Sequence, residues 1–172
     1  MKFQFFYDYE CPYCKRGYET LMDLLPAHNI EIEWRPIESH PRPEHCRPHT
    51  DLCIQAFYIA EELGANMAAF HKAMFRAVAA EGQNVEKGEV IAEILKGIVD
   101  GRKFLEILKS GKYVYKVREN NNLAYEKYDV WYVPAIRVPD SKSALDARGG
   151  MGLSREEIRD FFTKTIGAHF SA

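Results

Sequence analysis

The run Cys11-Pro12-Tyr13-Cys14 places two thiols three residues apart. On the first turn of a helix that spacing is close enough for a disulfide. A helix N-terminus presents unpaired N–H groups and a partial positive charge. Both lower the pKa of a thiol held there, and the thiolate is the attacking species. Cys11 is therefore read as the nucleophile that forms a mixed disulfide. Cys14, one turn further in and more buried, resolves it. Glu10 opposes the thiolate with its own negative charge, weakly if water screens it. The competing reading is half of a zinc site, since C-x2-C is also a zinc-ligand spacing. A zinc hook sits in a tight turn with a second ligand pair. This pair joins a strand to a long helix, which favours redox chemistry.

The remaining two of the four cysteines belong to a second cluster, in which His40, His45, Cys46, His49 and Cys53 fall within fourteen positions. The spacing matches no standard zinc pattern, and the adjacent His45 and Cys46 side chains seldom converge on one ion. Three readings stand: structural thiols, with Cys53 packing as a small hydrophobe; a second redox pair, Cys46–Cys53; or a metal site. Spacing favours the first, and no metal is expected. The histidines read as polar loop residues, one of which stabilises the Cys11 thiolate if the loop folds over it.

The elements that must position the first pair are legible in the flanking pattern. Residues 2–8 are short and aromatic-rich and read as a strand. Pro12 lies just inside a helix start, where its missing N–H costs nothing. Cys14, Tyr18, Leu21 and Leu25 then recur at helical spacing with Met22 beside them, until Pro26 and Asn29 end the run. Ile30 to Arg35 alternate with period two, a half-buried strand. Residues 1–36 thus spell a parallel strand–helix–strand unit. Residues 36–50 hold four prolines and form a loop.

A helical region follows. Its stripes are Leu52, Ala56, Ile59 and Leu63, stopped by Gly64; Phe70, Met74 and Val78; Val90, Ile91, Ile94 and Leu95; and Phe104, Leu105 and Leu108, between an Asp100 N-cap and Gly111. A fifth helix is read over 112–128, with Val114, Val117, Asn121, Ala124 and Tyr128 on one face. Residues 133–138 and 144–148 are strand-like, joined by a Pro139-Asp140 turn. Gly149 to Gly152 lacks the Lys-Ser/Thr of a phosphate loop and turns the chain into a last helix. That helix opens on Ser154 and Glu157, spaced as a capping box.

The chain has 172 residues and a formal net charge of −2, with 47% apolar and 28% charged residues. These values suit one soluble domain and exclude disorder or a disulfide-dense scaffold. No basic excess exists for phosphate neutralisation, so no nucleic-acid partner is expected. The opening residues lack a secretory-signal pattern, and no run approaches the ~18 apolar residues of a membrane span. A cytoplasmic protein without membrane attachment is expected.

With these elements in place, the chain resembles the thioredoxin superfamily, specifically its DsbA-like branch and within it the FrnE-type and 2-hydroxychromene-2-carboxylate isomerase-like oxidoreductases. The resemblance rests on strand 2–8 followed by Cys11-Pro12-Tyr13-Cys14, the helical insertion, Val133-Pro134, and the closing strand and helix. It implies an α/β thioredoxin-like fold with an all-helical insertion, about 50–111, between the second and third sheet strands, within a single domain spanning 1–172. It implies a cis Val133-Pro134 bond facing the disulfide, with substrate peptide adding to the backbone at Val133. Pro12, Tyr13, Val133 and Pro134 are then the substrate-contacting residues, and Asp8 influences proton transfer to Cys14. A turn-forming Asp8 is the plainer alternative. The Pro-Tyr dipeptide departs from the branch and is familiar from glutaredoxins, which the long insertion excludes.

The expected activity is dithiol–disulfide exchange with protein or peptide thiols. No organic cofactor is required, glutathione is a candidate co-substrate, and a separate redox partner recycles the pair. Two rivals remain. A glutathione-dependent isomerase or kappa-type transferase would resemble relatives with Ser at the Cys11 position. A non-enzymatic metal-binding module would use the His/Cys loop. The aromatic cluster Tyr113, Tyr115, Tyr125, Tyr128, Trp131 and Tyr132 is read mainly as packed core, with Trp131 and Tyr132 as candidate groove walls.

Overall fold

A computed structural model of the chain describes residues 1–45 and 48–170. Four strands form one sheet in the order β2-β1-β3-β4. They are β1 (Lys2–Tyr7), β2 (Glu31–Pro36), β3 (Ala135–Arg137) and β4 (Ala144–Asp146). β1 pairs with β2 in parallel and with β3 antiparallel, and β3 and β4 form an antiparallel pair. Alternation along the central β1 sends its side chains to both faces. Phe3, Phe5 and Tyr7 enter the larger core, while Phe6 packs with Ile37, Ala124, Val130 and Ala135 on the other side.

Helix α1 (Pro12–Leu24) follows β1 and buries Cys14, Gly17, Tyr18, Leu21 and Leu24. Leu24, not Leu25, completes the stripe, and Met22 faces solvent at 37% exposure. The helix stops one residue earlier than its periodicity predicts, and a 3-10 turn over Leu25–Ala27 rotates Leu25 off the buried line. Helix α7 (Arg155–Phe170) closes the chain. Its capping box is reciprocal: Glu157 N–H donates to Ser154 Oγ at 3.2 Å, and Ser154 N–H donates to the Glu157 carboxylate at 2.8 Å.

Between β2 and β3 lie α2 (Asp51–Glu62), α3 (Met67–Phe75), α4 (Gly88–Ile94), α5 (Gly101–Ser110) and α6 (Val114–Asn122). Asp100 caps α5 by accepting from the N–H groups of Arg102 and Lys103 at 3.0 and 3.1 Å. Gly111 ends it at a φ of 71°, a conformation that favours glycine. The helical segment runs past residue 111, because α6 and a π-helical turn over Leu123–Lys127 continue it. The expected face of the fifth helix is only partly the buried one. Ala124 is buried, but Val114 is 55% exposed, and the fully buried residue of α6 is Asn120. Burial of Asn120 is supported by its amide, which donates to the Pro36 carbonyl and accepts from the Tyr58 hydroxyl.

β3 is shorter than residues 133–138. Pro134 has no N–H to give a ladder, so pairing starts at Ala135. The Pro134 carbonyl still accepts from Ala147 N–H at 3.1 Å, holding the loop against the β4 end.

Sheet and insertion meet at a ring-lined contact. The Tyr7 and Tyr9 hydroxyls lie 3.1 Å apart, and Tyr9 Oη is 3.0 Å from His71 Nδ1 on α3. Tyr18, Trp34, Phe57 and Phe75 surround the imidazole. Burial pushes the His71 pKa down to about 3, so the ring is neutral in the folded protein.

Candidate active site

Cys11 is the N-cap of α1, with extended backbone, and its sulfur is the capping acceptor. Cys14 N–H donates to Cys11 Sγ at 3.2 Å. Pro12, at the first helical position, contributes no donor. A hydrogen bond from the Cys14 thiol, with the N–H groups of Cys14 and Tyr13, holds the Cys11 pKa below the ordinary thiol range. Partial burial and the charge of Asp8 work against them. Cys14 is fully buried, and burial, then its bond to Cys11, pushes its thiol well up. The sulfurs are thus unequal, and both are free thiols in this structure.

Asp8 is a carboxylate whose charge bears on the Cys11 thiolate. Asp8 is 1% exposed. One carboxylate oxygen accepts from Glu10 N–H at 3.2 Å, the local turn expected of an aspartate, and the other from Ser39 N–H at 2.6 Å. Burial raises its pKa against those donors. Ser39 carries no sequence signal, because what it supplies is a backbone N–H brought in by the proline-rich loop.

Val133 and Pro134 face the pair across a groove. Their peptide bond is cis, and the Val133 carbonyl oxygen lies 4.0 Å from Cys11 Sγ. Helix α1 reaches this loop because residue 17 is glycine: a Cβ there would lie 3.3 Å from Pro134 Cγ and 3.4 Å from Phe5. A glycine inside a helix is the signal that reveals such an approach in a sequence. Gly152, at a φ of 77°, lets the last loop close on the Tyr13 ring.

The groove has a volume of about 400 Å³ and is lined by Cys11, Pro12, Tyr13 and Val133, with Glu10, His40, Trp131 and Tyr132 among its walls. Of the four candidate substrate-contacting residues, Pro12, Tyr13 and Val133 line the groove with Cys11, while Pro134 packs toward Gly17 of α1. Of the aromatic cluster, Tyr113 stacks on Tyr58, whereas Tyr115, Trp131 and Tyr132 are exposed at 56, 64 and 48%. The cluster is less of a packed core than its composition suggests, because the segment before Pro134 runs along the groove rim.

The described members of the His/Cys loop do not converge. His49 is buried, with Nδ1 3.3 Å from the His40 carbonyl oxygen, and His45 is exposed. Cys53 is a free, fully buried thiol on α2, and Cys46 lies outside the described residues. The Cys46–Cys53 pairing therefore has no described geometry. Among the described residues no group of three or more His, Cys, Asp or Glu side chains is disposed to hold a metal ion. None of their helices is long and apolar enough to cross a membrane.

The loop wall instead uses Glu38, a residue the sequence pattern does not single out. Its carboxylate accepts from Asn121 Nδ2 at 2.9 Å, its N–H donates to Asn121 Oδ1 at 3.1 Å, and its carbonyl accepts from the Tyr125 hydroxyl. Burial, with Asp51 and Asp8, raises its pKa to about 7. A carboxyl raised on folding contributes stability that is complete below its unfolded value, about 4.5, and lost as pH rises through 7. Glu38→Gln keeps an acceptor for Asn121. It should stabilise by about 1–2 kcal/mol at about pH 8, after allowance for solvent screening, and change little near pH 4.5. Urea unfolding at the two pH values measures the difference.

A four-stranded sheet with a dithiol capping the helix after β1 and a proline loop facing it defines a thioredoxin-fold protein enlarged by a helical insertion. The model of the DSBA-like thioredoxin domain matches residues 2–157, and the chain belongs to that family. An uncharacterized protein of Bacillus subtilis, YwbO, is 22% identical over 189 residues, 89% of this chain and 93% of the relative. A probable DsbA oxidoreductase from Streptomyces coelicolor superposes with a TM-score of 0.81 at 16% identity, covering 97% of this chain and 90% of the other. The cytosolic disulfide reductase DsbM from Pseudomonas aeruginosa matches over 100% of both chains, with a TM-score of 0.71 and 14% identity.

Proposed function

We propose that the protein is a thiol–disulfide oxidoreductase acting on protein or peptide substrates through a mixed disulfide at Cys11. The observation that carries this reading is the inequality of the two sulfurs: one caps a helix, adjoins a groove and has a lowered pKa, and the other is sealed with a raised one. In the reducing direction, the Cys11 thiolate attacks one sulfur of a substrate disulfide and expels the other as a thiolate. Cys14 then loses its proton and attacks Cys11 Sγ, closing the Cys11–Cys14 disulfide and releasing the second substrate thiolate. Two electrons pass from the pair to the substrate, and the reverse sequence oxidises a substrate dithiol. Asp8, whose charge bears on both thiols, is the group assigned to the Cys14 proton. Pro12, Tyr13, Val133 and Pro134 hold the substrate. No organic cofactor takes part, a second redox protein or glutathione returns the pair to its starting state, and the site works in the cytoplasm.

Alkylation as a function of pH, read residue by residue by mass spectrometry, tests the assignment. Cys11 should react first, with a pKa below the ~8.5 of a free thiol, while Cys14 and Cys53 stay protected in the folded protein. A glutathione redox titration should then yield one disulfide, Cys11–Cys14. Equal alkylation of all the cysteines would overturn the reading.

A further inference from the structure

The groove beside Cys11 carries charge of one sign. Glu10 lines it, and among the described residues no lysine or arginine does. Among the described residues, the groups of opposite potential charge that act on the Glu10 carboxylate are both histidines, His40, whose Nε2 is 3.7 Å away, and His49. The His40 imidazole is shared, since its Nδ1 lies 3.1 Å from the Glu44 carboxylate. Arg16, the cation placed on the Tyr13 ring, lines the neighbouring cleft, and its guanidinium donates to the Met151 carbonyl at 2.8 Å. Buried Asp8, whose charge also acts on Cys11, takes its hydrogen bonds from backbone N–H groups and hydroxyls. Exposed Trp131 and Tyr132 supply aromatic faces in the same groove.

A carboxylate and aromatic faces in one groove are jointly complementary to a guanidinium or ammonium group carried on an apolar stem. We infer that the groove selects peptides carrying arginine or lysine beside the reacting cysteine, with Glu10 as the residue that reads the charge. This rests on the exchange reaction proposed above and names its substrate class.

The test uses the full chain as Cys14→Ser, which stops the reaction at the mixed disulfide. Symmetrical peptide disulfides of one sequence, with the cysteine flanked by arginine, glutamine or glutamate, are mixed with the protein at about pH 8, where thiolate attack is fast. Cys11 thiolate forms a bond to one peptide sulfur and the second peptide leaves as a thiolate, so the exchange balances without another reactant. Rates are divided by those of free N-acetylcysteine with the same peptides, which removes the intrinsic reactivity of each disulfide.

The normalised arginine-to-glutamate ratio should be roughly five- to tenfold, the size of one partly screened charge pair. It should fall toward one in Glu10→Gln and invert in Glu10→Lys. Because ratios are compared, the general change in Cys11 reactivity that either substitution causes cancels. Exchange that proceeds with a normalised ratio near one, or with a ratio unchanged in both variants, overturns the charge selection and leaves the exchange reaction standing. Absence of any Cys11 mixed disulfide, with every peptide, overturns both.

Discussion

Cys14→Ser should accumulate stable mixed disulfides through Cys11 and lose turnover, and Cys11→Ser should lose exchange altogether. The sulfurs divide the work by environment. Cys11 receives the Cys14 N–H at 3.2 Å and opens on the groove, whereas Cys14 is fully buried. Removing the resolving sulfur leaves the first attack intact and closes the escape route. Removing the nucleophile leaves only a protected thiol with a raised pKa, and the exchange rate should fall by at least about 10³-fold, as when other covalent catalysts lose their nucleophile. Trapping with a peptide disulfide and intact-mass measurement distinguish the two variants. Mixed disulfides appearing on Cys14 in Cys11→Ser at an undiminished rate would reverse the assignment. Substitution of Cys14 also removes the thiol hydrogen bond that helps lower the Cys11 pKa, so the trapped variant should alkylate at a somewhat higher pH than the parent protein.

The second large effect lies away from the sulfurs. Gly17→Val should destabilise the protein by about 3 kcal/mol, the usual range for overpacking a filled contact. It should also slow exchange, because the new side chain meets Pro134 and Phe5 at once. A single Cβ at this position already stands 3.3–3.4 Å from both. Gly17→Ala is the informative comparison. Its helix-propensity gain of about 1 kcal/mol offsets the tight contact, so its stability should stay near that of the parent. Urea denaturation beside the peptide-exchange rate separates the two consequences. A valine variant with parental stability and rate would mean that α1 and the Pro134 loop are not in close contact.

What the sequence makes legible is whatever a few neighbouring residues decide. The cap at Asp100, the left-handed stop at Gly111, the reciprocal Ser154–Glu157 pair and the helix start at Pro12 are local devices, and each occurs where its residue types require. The dithiol is legible for the same reason, since strand, cysteine pair and helix follow one another within a few residues. The DsbA-like α/β fold follows from that unit and from the helical block between the second and third strands.

The rest of the site is assembled across long stretches of chain. Asp8 meets a backbone N–H from Ser39, Glu38 meets Asn121, and the Glu38 carbonyl accepts from the Tyr125 hydroxyl. None of these pairings leaves a period or a spacing. Periodicity of apolar residues also misses Asn120, a polar residue that is buried because its amide is satisfied by the Pro36 carbonyl and the Tyr58 hydroxyl, while the apolar Val114 is exposed.

Asn120 and Asn121 bear on how the chain divides into parts. Asn120 Nδ2 donates to the Pro36 carbonyl at 2.8 Å, its Oδ1 accepts from Tyr58 at 3.1 Å, and Asn121 holds Glu38 beside it. The inserted helices therefore grip the end of β2 and the loop whose next residue, Ser39, bonds Asp8. Excising them to recover a smaller ancestral scaffold would also remove the support of that carboxylate and admit water beneath the sulfurs. The insertion is thus not a detachable module: its boundaries in the chain are not boundaries of the redox centre.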